Sequence, residues 1–134
     1  MIRRWRFGAA LVVFLVAGCG SVRERADAAA GTATRLLTAV AGRDGSAACA
    51  LLAPDTVADV AEAAGTSCAE AILDEDLPGP GAVTSAVVYG QWAQVRVSGD
   101  TMFLAVFGGG WRVVAAGCVP RGADRPYDCS ISGG

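Results

Sequence analysis

The chain has 134 residues, of which 11 are basic, 13 are acidic and none is histidine. Every basic residue is arginine, because the sequence contains no lysine. These absences exclude a Ser-His-Asp triad, a Cys-His pair, imidazole ligands for a metal and a Schiff-base lysine. A chain of this length with 53% hydrophobic residues supports one folded domain.

The first 18 residues predict a secretory signal. Three arginines precede an uncharged apolar run over residues 7–17. The run is shorter than the roughly 20 residues that a membrane-spanning helix needs, although an uncleaved signal anchor is the alternative. The string Val16-Ala17-Gly18-Cys19 resembles the lipobox of bacterial lipoproteins. That resemblance implies a lipid on the Cys19 thiol and cleavage before Cys19.

The mature chain is therefore expected to begin at Cys19, with a lipidated tether over residues 19–25 and one α+β domain over residues 26–134. Without the three arginines of the signal it holds 8 arginines and 13 acids, a formal charge of −5. Such an acidic domain is not expected to bind nucleic acid. The predicted location is the extracytoplasmic face of the cell membrane, held there by the lipid.

The helical part begins with a predicted helix over residues 22–41, because small and apolar residues recur there at steps of three and four. Two glycines and two charged residues in Gly42 to Gly45 predict a break, followed by a short helical turn over residues 46–52. Asp55 is the predicted N-cap of a helix that ends at Gly65.

A further short helix is predicted over residues 68–73. Ser67 can cap it, and Glu70 stands at the third position of a capping box. The segment from Leu77 to Gly81 contains two prolines and two glycines and separates the helical part from the C-terminal half of the chain. The acids at 74–76 lack the spacing of a calcium loop and are interpreted as a solvated loop.

After this joint the period of the apolar residues changes to two, which predicts an antiparallel meander. Several of its strands are apolar on both faces. The sheet is therefore expected to be strongly curved, or covered in part on both faces. A last segment, residues 127–131, is a candidate edge strand. The four predicted strands span residues 82–89, 91–98, 101–107 and 111–117.

Four cysteines remain after Cys19. An even number of cysteines in an exported domain indicates two disulfides. Three pairings are possible, and we favour Cys49–Cys68 with Cys118–Cys129, because each pair joins neighbours within one half of the chain. None of the four has the Cys-x-x-Cys spacing of redox enzymes, and their separation is unlike that of zinc ligands.

The order of elements resembles that of NTF2-like (cystatin-like) domains, in which a long helix packs into a bent sheet. More narrowly, the chain resembles small actinobacterial lipoproteins of unknown function. This resemblance implies a fold and a location but no activity. The strings that carry it are Cys49-Ala50-Leu51-Leu52-Ala53-Pro54, Trp92-Ala93-Gln94-Val95-Arg96-Val97, Phe103-Leu104 and Gly110-Trp111-Arg112-Val113-Val114-Ala115-Ala116-Gly117-Cys118.

Some NTF2-like enzymes use an aspartate base beside a tyrosine or a second acid. The matching candidates here are Tyr89, Tyr127, Asp100 and Asp128. Asp100 is expected in a tight turn, where turn chemistry explains it, and Asp128 adjoins a cysteine near the C-terminus. Catalysis is therefore not expected, and a small NTF2-like enzyme is the alternative hypothesis.

Trp92, Gln94 and Arg96 are the candidate binding residues, because the period of two places them on one face of a strand. An aromatic ring, an amide and a guanidinium in a row are typical of partner surfaces. The simpler alternative is that Trp92 packs under a helix and Arg96 is solvated. With Trp92, the residues Trp111, Met102 and Phe103 could also line a ligand cavity or a partner surface, but aromatic residues on strands are more often core. Arg96 and Arg112 could meet an anionic ligand, and the simpler interpretation is a solvated face with a weak ion pair.

The leading functional hypothesis is a non-catalytic binding or accessory domain of the cell envelope. Its expected partner, besides the membrane, is another envelope protein or a small apolar ligand. A purely structural envelope component is a third hypothesis. No cofactor and no metal are expected.

Overall fold

The structure is a computed structural model that describes residues 21–123 and 126–134. The helices are α1 (Val22–Ala41), α2 (Gly45–Ala50), α3 (Pro54–Ala64) and α4 (Cys68–Ala71), which continues into a 3-10 turn (Ile72–Asp74). The strands are β1 (Val83–Tyr89), β2 (Trp92–Val97), β3 (Asp100–Phe107), β4 (Gly110–Val119) and β5 (Asp128–Ser132). The predicted α+β order is confirmed. The signal over residues 1–18 and the lipidated Cys19 lie outside the described residues.

Helix α1 has the predicted bounds. The Ser21 hydroxyl caps it by accepting a hydrogen bond from the Glu24 backbone N–H at 3.1 Å. Its buried stripe includes Ala33, Leu36 and Leu37, which recur at helical spacing. Because α1 begins at Val22, its first four residues overlap the predicted tether over residues 19–25.

Helices α2 and α3 begin one or two residues earlier than predicted. Asp44 accepts a hydrogen bond from the Ala47 backbone N–H at 3.0 Å, so Gly45 opens α2 instead of extending the break. Helix α3 begins at Pro54, and the prediction that Asp55 is its N-cap is wrong. Proline is preorganised for the first position of a helix, and Asp55 lies in the first turn, where a negative charge is favourable.

The predicted stop of α3 and cap of α4 are confirmed. Gly65 ends α3 in the left-handed conformation with φ 68°. The Ser67 hydroxyl accepts from the Glu70 backbone N–H at 3.3 Å. The second half of the expected capping box differs, because the Glu70 carboxylate accepts a hydrogen bond from the Thr66 hydroxyl.

The five strands form one antiparallel sheet in the order β1-β2-β3-β4-β5, which confirms the predicted meander and its edge strand. Register shifts between Val83 and Ser85 and between Phe103 and Leu104 interrupt the ladders. Such bulges bend and twist a sheet. The sheet stays open, and the NTF2-like identity remains a prediction.

The core lies between the helices and one face of the sheet. Helix α1 packs on β1, β2 and β4, and α3 packs on β4 and β5. Within residues 21–123 and 126–134, no helix is long and apolar enough to cross a membrane. The largest fully buried apolar side chains are Leu36, Leu37, Ile72, Val95, Met102, Leu104 and Val113.

Three further links stabilise the fold. One backbone bridge joins the two halves of the chain, and one disulfide lies within each half. A parallel bridge joins Leu52 to Val113, whose backbone N–H donates to Leu51 and whose carbonyl accepts from Ala53, both at 2.8 Å. The predicted disulfides Cys49–Cys68 and Cys118–Cys129 are both present. The first ties α2 to α4, and the second ties β4 to β5.

Candidate functional site

The predicted binding row lies on the face of the sheet opposite the core, which we call the outer face. Along β2, the outward Trp92, Gln94 and Arg96 alternate with three buried inner residues. This alternation confirms that the three share one face. The alternative that Trp92 packs under a helix is wrong, because 49% of its surface is exposed.

The strand register identifies the residues of β1 and β3 that flank this row. Trp92 pairs with Tyr89 of β1 and with Ala105 of β3, so an exposed aromatic pair stands beside a small buried residue. Gln94 is flanked in the same way by Val87 and Phe103. Side chains paired directly across antiparallel strands point to the same face and contact one another. The outer face therefore changes from aromatic at Trp92 to polar at Arg96.

Tyr127 closes over the polar end of the row. Its hydroxyl accepts hydrogen bonds from Gln94 Nε2 at 3.2 Å and from Arg96 Nη2 at 3.5 Å. Its ring meets Phe103 edge to face, with ring centroids 5.0 Å apart. The sequence pattern predicts Tyr127 in an edge strand and does not connect it with β2. The Tyr127 side chain reaches across β3 and covers part of Gln94, so Gln94 is less exposed than Trp92.

The aromatic end of the row lies at the tip of the β1–β2 hairpin. Gly90, at φ 61°, occupies the first central position of a two-residue turn, the position that glycine takes in a type II′ turn. The exposed fractions of Val87 and Tyr89 are 53% and 51%. The Gly90 carbonyl accepts a hydrogen bond from Arg25 Nη2 at 2.7 Å, so the first turns of α1 lie at this tip.

The other aromatic candidates are placed differently. Trp111 packs against the core, and the Arg25 guanidinium lies 5.5 Å from its ring centroid. Met102 is fully buried, as the interpretation as core residues requires. Phe103 is only half-buried and contacts Tyr127 on the outer face, so the same interpretation is wrong for Phe103.

Asp100 is the buried acid that sequence reasoning explained incorrectly. It is only 7% exposed, and it is the first residue of β3, not merely a residue of a tight turn. Its carboxylate accepts hydrogen bonds from the backbone N–H groups of Gly117, at 3.1 Å, and Cys118, at 3.0 Å. Burial raises the pKa of the Asp100 carboxyl above its ordinary value of 3.8, and hydrogen bonds from the backbone oppose that rise.

A cleft of about 320 Å³ runs past Arg96 and Asp100. The two oxygens of Asp100 are already occupied by backbone donors of β4, which leaves the carboxylate in a structural role. Asp128, the other acidic candidate, is exposed at the start of β5. The hydrogen bonds of Asp100 therefore hold β3 against β4.

The structure does not bring Arg96 and Arg112 together. Arg112 donates a hydrogen bond to the Ala50 carbonyl in α2, whereas Arg96 reaches Tyr127. In the part of the chain that is described, no three His, Cys, Asp or Glu residues are grouped so that they could hold a metal ion. What remains as a candidate site is the outer face with the row Trp92, Gln94 and Arg96.

Comparison of the chain with protein-family models, with curated proteins and with solved structures finds no match. The class that the fold defines is an open α+β domain with one sheet face covered by helices.

Proposed function

We propose that this protein is a lipid-anchored domain of the cell envelope that binds a partner through its outer face and has no catalytic role. The single observation that carries the binding role is that helices cover one face of the sheet, while the other presents Trp92 with half its surface exposed. A large aromatic side chain at the surface gains most from being covered, by a protein partner or by a membrane interface.

The polar part of the row, Gln94 and Arg96, is suited to the recognition of a protein partner. Gln94 and Arg96 are held in place by the Tyr127 hydroxyl. A guanidinium that is preorganised in this way loses less side-chain freedom when it binds. Its remaining donors suit carbonyl or carboxylate groups of a protein partner. Another envelope protein therefore fits this end of the row better than a small apolar ligand does.

The absence of a catalytic role is proposed from the placement of the acids and tyrosines. Asp100 is engaged with two backbone N–H groups, and Tyr127 is engaged with Gln94 and Arg96. Tyr89 lies half-exposed at the end of a strand. A general base needs a reachable proton on a bound substrate, and none of these positions combines a free carboxylate with a tyrosine.

The envelope location is supported by two features. The two disulfides are typical of proteins that fold outside the cytoplasm. The Val16-Ala17-Gly18-Cys19 string provides the lipid attachment. Two or three acyl chains on one residue hold a protein stably to a membrane, whereas a single chain is marginal.

Crosslinking in intact cells tests the binding role. The Gln94→Ala, Arg96→Ala double variant should fold normally and lose its crosslinked partner, because both side chains leave the outer face. Arg35→Ala is the matched control, since Arg35 is exposed on α1, on the helical side of the sheet. Retention of every partner by the double variant contradicts the proposed face. Turnover of a substrate by the purified protein, abolished by Asp100→Asn, contradicts the non-catalytic role.

A further inference from the structure

We infer that the hairpin tip carrying Tyr89 and Trp92 contacts the membrane interface, so that the domain stands on the bilayer with the tips of its β1–β2 and β3–β4 hairpins toward the membrane. This inference rests on the lipid anchor of the proposed function and names the bilayer as the occupant of the aromatic end of the outer face. The polar end, at Arg96, remains available to a protein partner.

Helix α1 starts beside the tip of the β1–β2 hairpin. Arg25 Nη2 donates to the Gly90 carbonyl at 2.7 Å, and the Arg25 backbone N–H donates to the Ser21 carbonyl at 3.1 Å. A helix rises about 1.5 Å per residue, so Ser21 lies within about 6 Å of Arg25 along the axis. The N-terminus of the described chain thus leaves the domain beside this tip.

The chain between the lipid site and Ser21 is short. Cys19 stands two residues before Ser21 in the sequence. Two residues of fully extended chain span at most about 7 Å. A lipid on Cys19 therefore enters the bilayer close to the hairpin tip, and a tether this short does not let the opposite end of the domain approach the membrane.

The side chains of the tip suit a membrane interface. Tyr89 and Trp92 are both about half exposed, and tyrosine and tryptophan are the residues enriched where a membrane meets water. Their rings enter the headgroup region while their hydroxyl and N–H groups keep polar partners there. Val87 and Phe107, which are also exposed, add apolar surface at the same end of the sheet.

Negative charge is absent from the sequence of both hairpin tips. No acidic residue occurs between Asp76 and Asp100, so neither the β1–β2 turn nor its flanking strands bear a negative charge. The β3–β4 turn is equally free of acids, since none occurs between Asp100 and Asp124. In a mature chain with 13 acids and 8 arginines, the two hairpin tips are the part of the sheet that an anionic lipid surface repels least.

Depth-dependent quenching in vesicles tests this orientation. The lipidated protein is reconstituted into phosphatidylcholine–phosphatidylglycerol vesicles with and without brominated acyl chains. In a Trp111→Phe background, Trp92 is the remaining tryptophan of the mature chain. The matched reporter carries Trp92→Phe, Trp111→Phe and Val119→Trp, because Val119 is 63% exposed and pairs with Asp128 at the opposite end of the sheet.

We expect brominated lipid to quench Trp92 at least about twofold more than the reporter at position 119, with a blue shift of its emission, because interfacial tryptophan lies at headgroup depth. Equal quenching of the two reporters, in protein whose Cys19 carries the lipid mass, overturns the orientation and leaves the anchor intact. Shielding of Trp92 in cells but not in vesicles assigns the tip to a protein and also overturns the inference. A mature terminus without lipid overturns the proposed function itself.

Discussion

Asp100 Oδ1 accepts a hydrogen bond from the backbone N–H of Cys118 at 3.0 Å, which places a buried carboxylate directly beside the disulfide that ties β4 to β5. Its other oxygen accepts from Gly117 at 3.1 Å. The carboxylate thus satisfies two backbone donors next to a cysteine of the disulfide. The role of this acid is structural, and its removal has a measurable consequence for stability.

Replacing Asp100 with alanine should lower the free energy of unfolding by about 1–3 kcal/mol, because two backbone N–H groups lose their acceptor in a buried site. Urea unfolding at neutral pH measures the loss. Asp128→Ala is the control, since Asp128 is an exposed first residue of β5. Equal stability of the two variants contradicts the structural role of Asp100.

Asp100 should also make stability depend on pH. Because burial raises the native pKa of this carboxyl above 3.8, the folded state holds the proton more tightly than the unfolded state does. The contribution of Asp100 to stability is therefore greatest below 3.8 and decreases as pH rises through the raised native pKa.

Unfolding of the wild type and of Asp100→Ala, measured in parallel between about pH 3 and pH 8, isolates this dependence. The variant should lack the part of the decline that Asp100 causes. Glu75, whose pKa is also raised by burial and by Asp74, contributes with the same sign in both proteins and cancels in the comparison. Identical pH profiles for the two proteins contradict the prediction.

Gly45→Ala should destabilise the helical half. A Cβ at this position meets the backbone carbonyl of Ala69, so α2 and α4 must separate to accept it. Overpacking of this kind costs about 1–3 kcal/mol, which thermal unfolding detects. Gly31→Ala is the control, because its nearest contact, an Arg35 side-chain atom, lies 3.8 Å away and alanine stabilises a helix by about 0.5–1 kcal/mol over glycine.

Tyr127→Phe should keep the contact with Phe103 and remove the acceptor that holds Gln94 and Arg96. The expected loss of stability is small, about 0.5–1.5 kcal/mol, because the two donors at the partly exposed face regain water. The yield of crosslinked partner should fall clearly, although the free energy of unfolding changes little. A variant that binds as the wild type does shows that Tyr127 does not position the row.

The helices and strands whose formation depends on residues close together in the sequence could be predicted. The apolar spacing predicted α1 to its end residues, and the change to a period of two predicted the meander. The start of α3 was missed because Asp55 and Pro54 give competing signals, and the proline takes the first helical position. The two disulfides agree with the number of cysteines and their separation along the chain.

The features that depend on contacts between distant strands could not be predicted. Asp100 looked like a turn residue because the donors that bury it belong to β4. Tyr127 reaches β2 only because β4 and β5 bring it across the sheet, and a single sequence contains no signal of that reach. The alternation along β2 predicted which residues share a face with Trp92. The exposure of that face depends on the packing of the helices, so it was seen only in the structure.

The bridge between Leu52 and Val113 makes the segment between α2 and α3 depend on a strand that lies about sixty residues later in the chain. The helical half closes its backbone hydrogen bonds only when Val113 supplies both a donor and an acceptor to the segment from Leu51 to Ala53. In a chain made from its N-terminus, the residues of α1 to α4 emerge well before those of β4. Contacts so far apart in sequence slow folding. The Cys49–Cys68 bond can close early within the helical half, holding those helices together until β4 arrives.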